Sequence, residues 1–218
     1  MFWQILPHAT ACVAAHRLFL LDARQDRYFQ VPPAPAEQMC GWLERNHACA
    51  PPAPVLATLV RSKIFRPGDR EPTNALKERV AVPDGIATFE RRQVAQPRSF
   101  RIARTVAGTW LRLRTLSLNS ILSGLRTRGP LPVRGHLDAT LAEAGAFERG
   151  RGAVPIARNC LLDSLALDGW LARRGLGSQL VFGITPEPFS AHCWLQTPEA
   201  ILNDSFDHVS SFTPILAI

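Results

Sequence analysis

Between Asn159 and Asp204 the chain leaves little choice of fold. Asn159 is a good helix N-cap, and behind it Leu161 pairs with Leu165 and Leu167 with Leu171, with Trp170 extending the stripe. Arg173 and Arg174 occupy the last turn and Gly175 supplies the left-handed stop. Strands follow: Leu180, Phe182 and Ile184 alternate with Val181, Gly183 and Thr185, and after a turn at Pro186 and Pro188 the run Ala191 to Gln196 reads as a second strand. Asp204 is expected to close a third strand. A capped apolar helix feeding an antiparallel meander is an α+β arrangement.

The helix opens on Arg158-Asn159-Cys160-Leu161-Leu162, which puts a cysteine at the positive end of a helix dipole, where thiolate is favoured over thiol. Cys160 is therefore the candidate nucleophile. His192 is placed to take its proton, and Asp204 to orient the imidazole. In the second strand His192, Trp194 and Gln196 share one face, while Ala191, Cys193 and Leu195 share the other. The expectation is that only one of His192 and Cys193 faces Cys160, with Cys193 in the core. Asp207 rivals Asp204, but an aspartate that ends the apolar strand is better held. His208 and His136 read as surface residues. Arg158 either steadies an oxyanion or faces solvent, and the backbone N–H of Cys160 is the safer oxyanion donor.

The chain's 46% hydrophobic and 20% charged residues fit a globular protein with a real core. No apolar run reaches the ~18 to 20 residues needed to span a membrane. Met1 to Ala15 is mildly apolar but lacks a basic start, and is read as mature protein. Five cysteines (Cys12, Cys40, Cys49, Cys160, Cys193) show neither a disulfide framework nor metal spacing, so a reduced cytoplasm is expected. Cys12, Cys40 and Cys49 read as small buried hydrophobes. The net charge of +7 comes almost wholly from arginines, many of them between Arg91 and Arg158. Either they form a solvated basic surface or they attract an anionic partner, an acidic peptide or nucleic acid.

Towards the N-terminus, His16 to Leu21 and Arg27 to Val31 read as a hairpin turning at Asp22 to Asp26. After Pro32, Pro33 and Pro35 comes a short helix, Ala36 to Leu43, with Met39, Trp42 and Leu43 on one side. A further helix is expected over Val55 to Phe65, stopped by Pro67-Gly68. Glu71 to Pro97, rich in proline, reads as a linker. Ser99 to Arg114 has helical spacing, with Phe100, Ala103, Ala107, Trp110, Leu111 and Leu113 expected in the core opposite Arg101, Arg104, Arg112 and Arg114. Arg134 to Phe147 is another helix, with Leu137 and Leu141 inward.

The Cys-initiated helix, Gly-Leu-Gly-Ser-Gln-Leu-Val-Phe-Gly-Ile, Ala-His-Cys-Trp-Leu-Gln and Leu-Asn-Asp together resemble the transglutaminase-like cysteine proteases of lasso peptide biosynthesis, the lasso B proteins. The resemblance covers roughly residues 98 to 218. That family usually carries His-Ala-Trp-Val-Glu where this chain has His192-Cys193-Trp194-Leu195-Gln196, and the two departures, Cys193 and Gln196, are expected not to touch the triad. Leu20 to Leu43, with Leu-Leu-Asp-x(4)-Arg-Tyr-Phe, is similar to the RiPP recognition element, a winged-helix-like domain that binds a leader peptide as an added strand.

These resemblances imply an α+β chain with two domains: residues 1–85, a winged-helix-like RiPP recognition element, and residues 98–218, a transglutaminase-like (papain-like) cysteine protease. The implied catalytic residues are Cys160, His192 and Asp204, with no metal or organic cofactor. The implied substrate is a lasso precursor cut at the leader-core junction. The implied partner is a macrolactam-forming cyclase related to asparagine synthetase, with no nucleic acid and no stable membrane insertion. Two other classes stay open. The same triad serves a transamidase, and the basic balance suits a non-enzymatic winged-helix DNA-binding protein, which would leave Cys160, His192 and Asp204 unexplained.

Overall fold

In a computed structural model the residues described are 2–44, 53, 56, 60–61, 63–68, 81–83, 99–128, 131 and 136–218. Helices and antiparallel sheets are segregated, an α+β architecture. The chain divides into two compact units, one of residues 1–80, 184–190 and 213–216, the other of 81–183, 191–212 and 217–218.

In the first unit, β1 (Phe2–Ile5) pairs antiparallel with β5 (Phe65–Gly68), and β2 (Ala9–Ala14), β3 (Arg17–Asp22) and β4 (Arg27–Gln30) form an antiparallel meander. The β2–β3 turn is two residues long, and Ala15 and His16 both take positive φ, as a type I′ hairpin turn demands. At the next turn Asp22 Oδ1 accepts the amides of Arg24 and Gln25 at 2.9 and 3.3 Å. The expected hairpin over residues 16 to 31 thus forms, with Phe19 opposite Gln30 and Asp22 opposite Arg27. Helix α1 (Pro33–Glu44) begins on a proline, which suits a first turn, and buries Met39, Trp42 and Leu43 with Leu18, Leu20, Ile64 and Phe65. One expectation changes here. Phe65 ends no helix but pairs with Ile5 in a strand, and β1 was hidden because four residues are too few to establish a period. Most of residues 55–62, and 71–97 apart from 81–83, lie outside the described residues.

The second unit holds α2 (Ser99–Thr115), α3 (Leu118–Thr127), α4 (Leu137–Arg151) and α5 (Cys160–Ala172). After them in the chain comes a three-stranded sheet of β6 (Gln179–Pro186), β7 (Phe189–Gln196) and β8 (Thr213–Ala217), ordered β7-β6-β8. Helix α2 packs on α4 and α5. It does so through Ile102 and Val106, both fully buried, whereas Phe100, Ala107, Trp110 and Leu111 are exposed. Apolar residues recur on two faces of this helix, and the face that is buried is not the expected stripe of Phe100, Trp110 and Leu111. In α4 the buried stripe is Thr140, Ala144, Phe147 and Arg151, and Leu137 and Leu141 are only partly covered.

Helix α5 is not amphipathic. Leu162 through Asp168, Trp170 and Leu171 are all buried, so it is the central helix of the unit. Its far end closes as a Schellman turn: Leu176 N–H reaches Leu171 C=O and Gly175 N–H reaches Ala172 C=O, with Gly175 at φ 73°. The first sheet strand is likewise buried continuously from Leu180 to Ile184, as befits the middle of the order β7-β6-β8. A Cβ on Gly183 would come within 2.8 Å of the Trp194 ring, so only glycine lets that indole lie on the strand. No third strand ends at Asp204. Leu202 N–H reaches Leu195 C=O and Gln196 pairs with Ile201 across a tight turn, and the third strand of the sheet is the C-terminal β8.

Candidate active site

Cys160 is the first residue of α5. Asn159 Oδ1 accepts from the amides of Leu161 and Leu162 at 3.0 and 3.3 Å, which fixes the first turn and leaves the positive helix end beside the thiol. The loop leading in is pinned from beneath. Arg151, 1% exposed, bonds Asp163 of α5 at 2.7 Å and also donates to the carbonyls of Val154, Ile156 and Ala157. Arg158 does not face the site as a free cation: it grips Glu148 with both terminal nitrogens and Asp163 with Nε. These pairs, with Arg128 on Asp168 and Arg174 on Glu143, absorb part of the positive charge that the sequence concentrates in this region.

Strand β7 carries His192 against the thiol. The Nε2 atom of His192 lies 2.5 Å from Asp204 Oδ2, which leaves Nδ1 for Cys160. Asp204 also accepts the Ser205 amide at 2.8 Å and is met on its other side by His208 Nδ1 at 3.0 and 3.1 Å. Asp207 sits exposed in the short α6 (Phe206–Val209). The chain therefore brings Cys160, His192 and Asp204 together, and adds His208, which no local pattern separates from an ordinary surface histidine.

The loop bearing Asp204 is tied to helix and strand by one residue. Asn203 Oδ1 accepts the Leu195 amide at 2.8 Å and its Nδ2 donates to Ser164 Oγ at 2.8 Å, while Ser164 in turn donates to Cys193 C=O at 3.3 Å. The Asn beside the Asp in Leu-Asn-Asp was the available signal. Trp194 and Phe212 flank the His192 ring at 6.1 and 5.1 Å.

Cys193 needs a correction. It is buried, as expected, yet its thiol and backbone both hydrogen-bond Cys160, so strand alternation did not decide which of residues 192 and 193 the nucleophile meets. The helix end reaches the strand itself, where a side chain from one face and the backbone and thiol of the next residue are all within range. Gln196, the other departure, stays off Cys160, His192 and Asp204. Its Oε1 accepts from Trp194 Nε1 at 2.7 Å and its Nε2 donates to Ala81 C=O at 3.0 Å, a donation that a glutamate could not make.

The electrostatics follow from these contacts. Hydrogen bonds from Cys193 and His192 outweigh burial and bring Cys160 down to about 4. Burial opposes charge on His192, but Asp204 and the Cys160 thiolate hold it up at about 9. Burial also opposes the Asp204 carboxylate, which its bonds to His192, Ser205 and His208 bring down to about 2. Cys193 is driven the other way, far above a normal thiol, first by its bond to Cys160 and then by burial, and it stays protonated as a donor. Between about 4 and 9 the pair is thiolate and imidazolium, the reactive form of a cysteine nucleophile.

A family model described as the transglutaminase-like superfamily matches residues 103–217, more than half of the chain and all four of these residues. The chain belongs to the transglutaminase-like superfamily. No curated protein and no solved structure matches it. Membership in the transglutaminase-like superfamily points to a cysteine-based activity of protease or transamidase type. No helix among the described residues is long and apolar enough to cross a membrane.

Proposed function

We propose that the chain is a cysteine peptidase of lasso peptide biosynthesis, which binds the leader of a precursor peptide and cuts it at the leader-core junction. The observation that carries the hydrolytic reading is Cys160 at a capped helix N-terminus with His192, itself on Asp204, against it. The Cys160 thiolate attacks the scissile carbonyl, and the Cys160 N–H at the helix start faces the developing oxyanion. The His192 imidazolium gives its Nδ1 proton to the leaving amine. It then takes a proton from water, which hydrolyses the thioester. Asp204 keeps Nε2 protonated, so that Nδ1 is the nitrogen that exchanges protons with the reaction.

For the leader, residues 1–85 act as a RiPP recognition element. Strand β4 is an edge of the described meander, and an extended peptide can add to such an edge through main-chain hydrogen bonds. The cut precursor then passes to a cyclase related to asparagine synthetase, in the cytoplasm. The second reading is transamidation, favoured by the superfamily itself: an amine in place of water would resolve the thioester.

The test is incubation of the purified protein, beside Cys160→Ala, with the short precursor encoded by a neighbouring gene and with a labelled amine. Leader and core as free acid and free amine, from the first protein only, support the peptidase. Labelled leader would establish the transamidase, and equal cleavage by Cys160→Ala would remove both readings.

A further inference from the structure

We propose that His192, Asp204 and His208 form a binding tripod for Zn²⁺, and that the ion inhibits the enzyme by occupying the imidazole and leaving the thiolate untouched. One donor atom from each of the three residues lies within 4.8 Å of the others, and two of the contacts already converge on a single carboxylate, His192 Nε2 at 2.5 Å and His208 Nδ1 at 3.0 Å. Two imidazoles and a carboxylate are a common zinc donor set, and a tetrahedral site with ~2.1 Å bonds sets its donors about 3.4 Å apart, within reach of small side-chain rotations. The way in is open, since the His208 side chain is 53% exposed while His192 and Asp204 are sheltered at 15% and 16%. A fourth position is left for water.

The consequence for turnover rests on the peptidase reading, whereas the tripod does not. With the ion absent, the His192 imidazolium carries protons on both nitrogens, Nε2–H towards Asp204 and Nδ1–H towards Cys160. Binding expels the Nε2 proton to solvent, and the metal takes the lone pair it leaves. His208 moves its Nδ1 proton to its exposed Nε2 through water, with no net change. The His192 ring now keeps Nδ1–H and can lose it only by becoming imidazolate. It no longer protonates a leaving amine, and it has no free lone pair with which to deprotonate water. The Cys160 thiolate keeps its Nδ1–H donor throughout. This differs from the usual poisoning of a cysteine enzyme, in which the metal sits on the sulfur itself.

Calorimetric titration of ZnCl₂ into full-length Cys160→Ala separates the two sites without any substrate. The tripod predicts one bound ion in Cys160→Ala with affinity close to that of the unaltered protein, and an affinity weakened at least tenfold in His208→Gln. It also predicts that a Zn²⁺ concentration which abolishes turnover leaves iodoacetamide labelling of Cys160 within about threefold of its rate with chelator present. Loss of binding in Cys160→Ala, or alkylation suppressed in step with turnover, would place the ion on the sulfur and overturn the proposal. Undiminished binding in His208→Gln would overturn it as well. Should the protein cleave no peptide at all, the titration, with alkylation measured at the Zn²⁺ concentration that saturates it, still decides the tripod.

Discussion

The His192 imidazole and the Asp204 carboxylate meet at 2.5 Å, and the carboxylate that holds the ring comes from a turn, not from a strand end. The neighbouring acid, Asp207, faces solvent in the next short helix. Asp204→Asn is expected to cost about one to two orders of magnitude less in kcat/KM than His192→Ala, because an orienting group is less indispensable than a base. Asp207→Asn should stay within about twofold of the unaltered protein, as exposed substitutions usually do. A larger loss for Asp207→Asn in the same cleavage assay would reverse the assignment.

The coupled pair sets the pH range. Activity rises as Cys160 ionises, near 4, and falls as His192 loses the proton the leaving amine needs, near 9, so kcat/KM should follow a broad bell between these limits. Both limbs belong to the pair. His192→Ala should therefore move the acid limb of any residual thiol chemistry up towards the ~8.5 of a free cysteine. An acid limb that stays near 4 in that variant would show that His192 is not what charges the thiol.

Asn203 positions without reacting. Removing its amide in Asn203→Ala leaves the Leu195 amide without its acceptor and the Ser164 oxygen without its donor, and should cost ~1 to 3 kcal/mol of stability. Through the loosened Asp204 loop it should also lower kcat while leaving KM nearly unchanged. Denaturant unfolding and initial rates measure the two effects, and a fall in stability with full kcat would limit Asn203 to packing.

Arg151 supports the nucleophile from below. With its guanidinium buried, Arg151→Ala strips Asp163 of one of its two arginines and frees three loop carbonyls, a loss of ~3 to 5 kcal/mol by the cost of breaking a buried pair. Replacing both partners, as Arg151→Met with Asp163→Leu, should be less damaging than Arg151→Ala alone. Urea unfolding of the three proteins tests this order.

Local signals were the legible part of this chain. Asn159, Gly175 and the hairpin at Asp22 act within a few residues of themselves, so the capped helix, its stop and the N-terminal hairpin could be read directly. What depended on distant chain could not. The buried face of α2 is chosen by α4 and α5, and β1 exists only because Phe65 to Gly68 returns to pair with it. The same holds at the site. Spacing and chemistry marked Cys160, His192 and Asp204 as candidates, but Cys193 and His208 touch them through the meeting of a helix end, a strand and a turn that no local periodicity encodes.

If Cys160 is an activated thiolate, its rate of alkylation by iodoacetamide as a function of pH should show it. Peptide mass spectrometry of the full chain should find Cys160 labelled ahead of Cys12 and Cys193, which are buried and pushed to higher ionisation, with a limb near 4. Labelling of Cys160 with the ~8.5 limb of a free thiol, and no faster than at Cys12 or Cys49, would show that Cys160 is an ordinary cysteine.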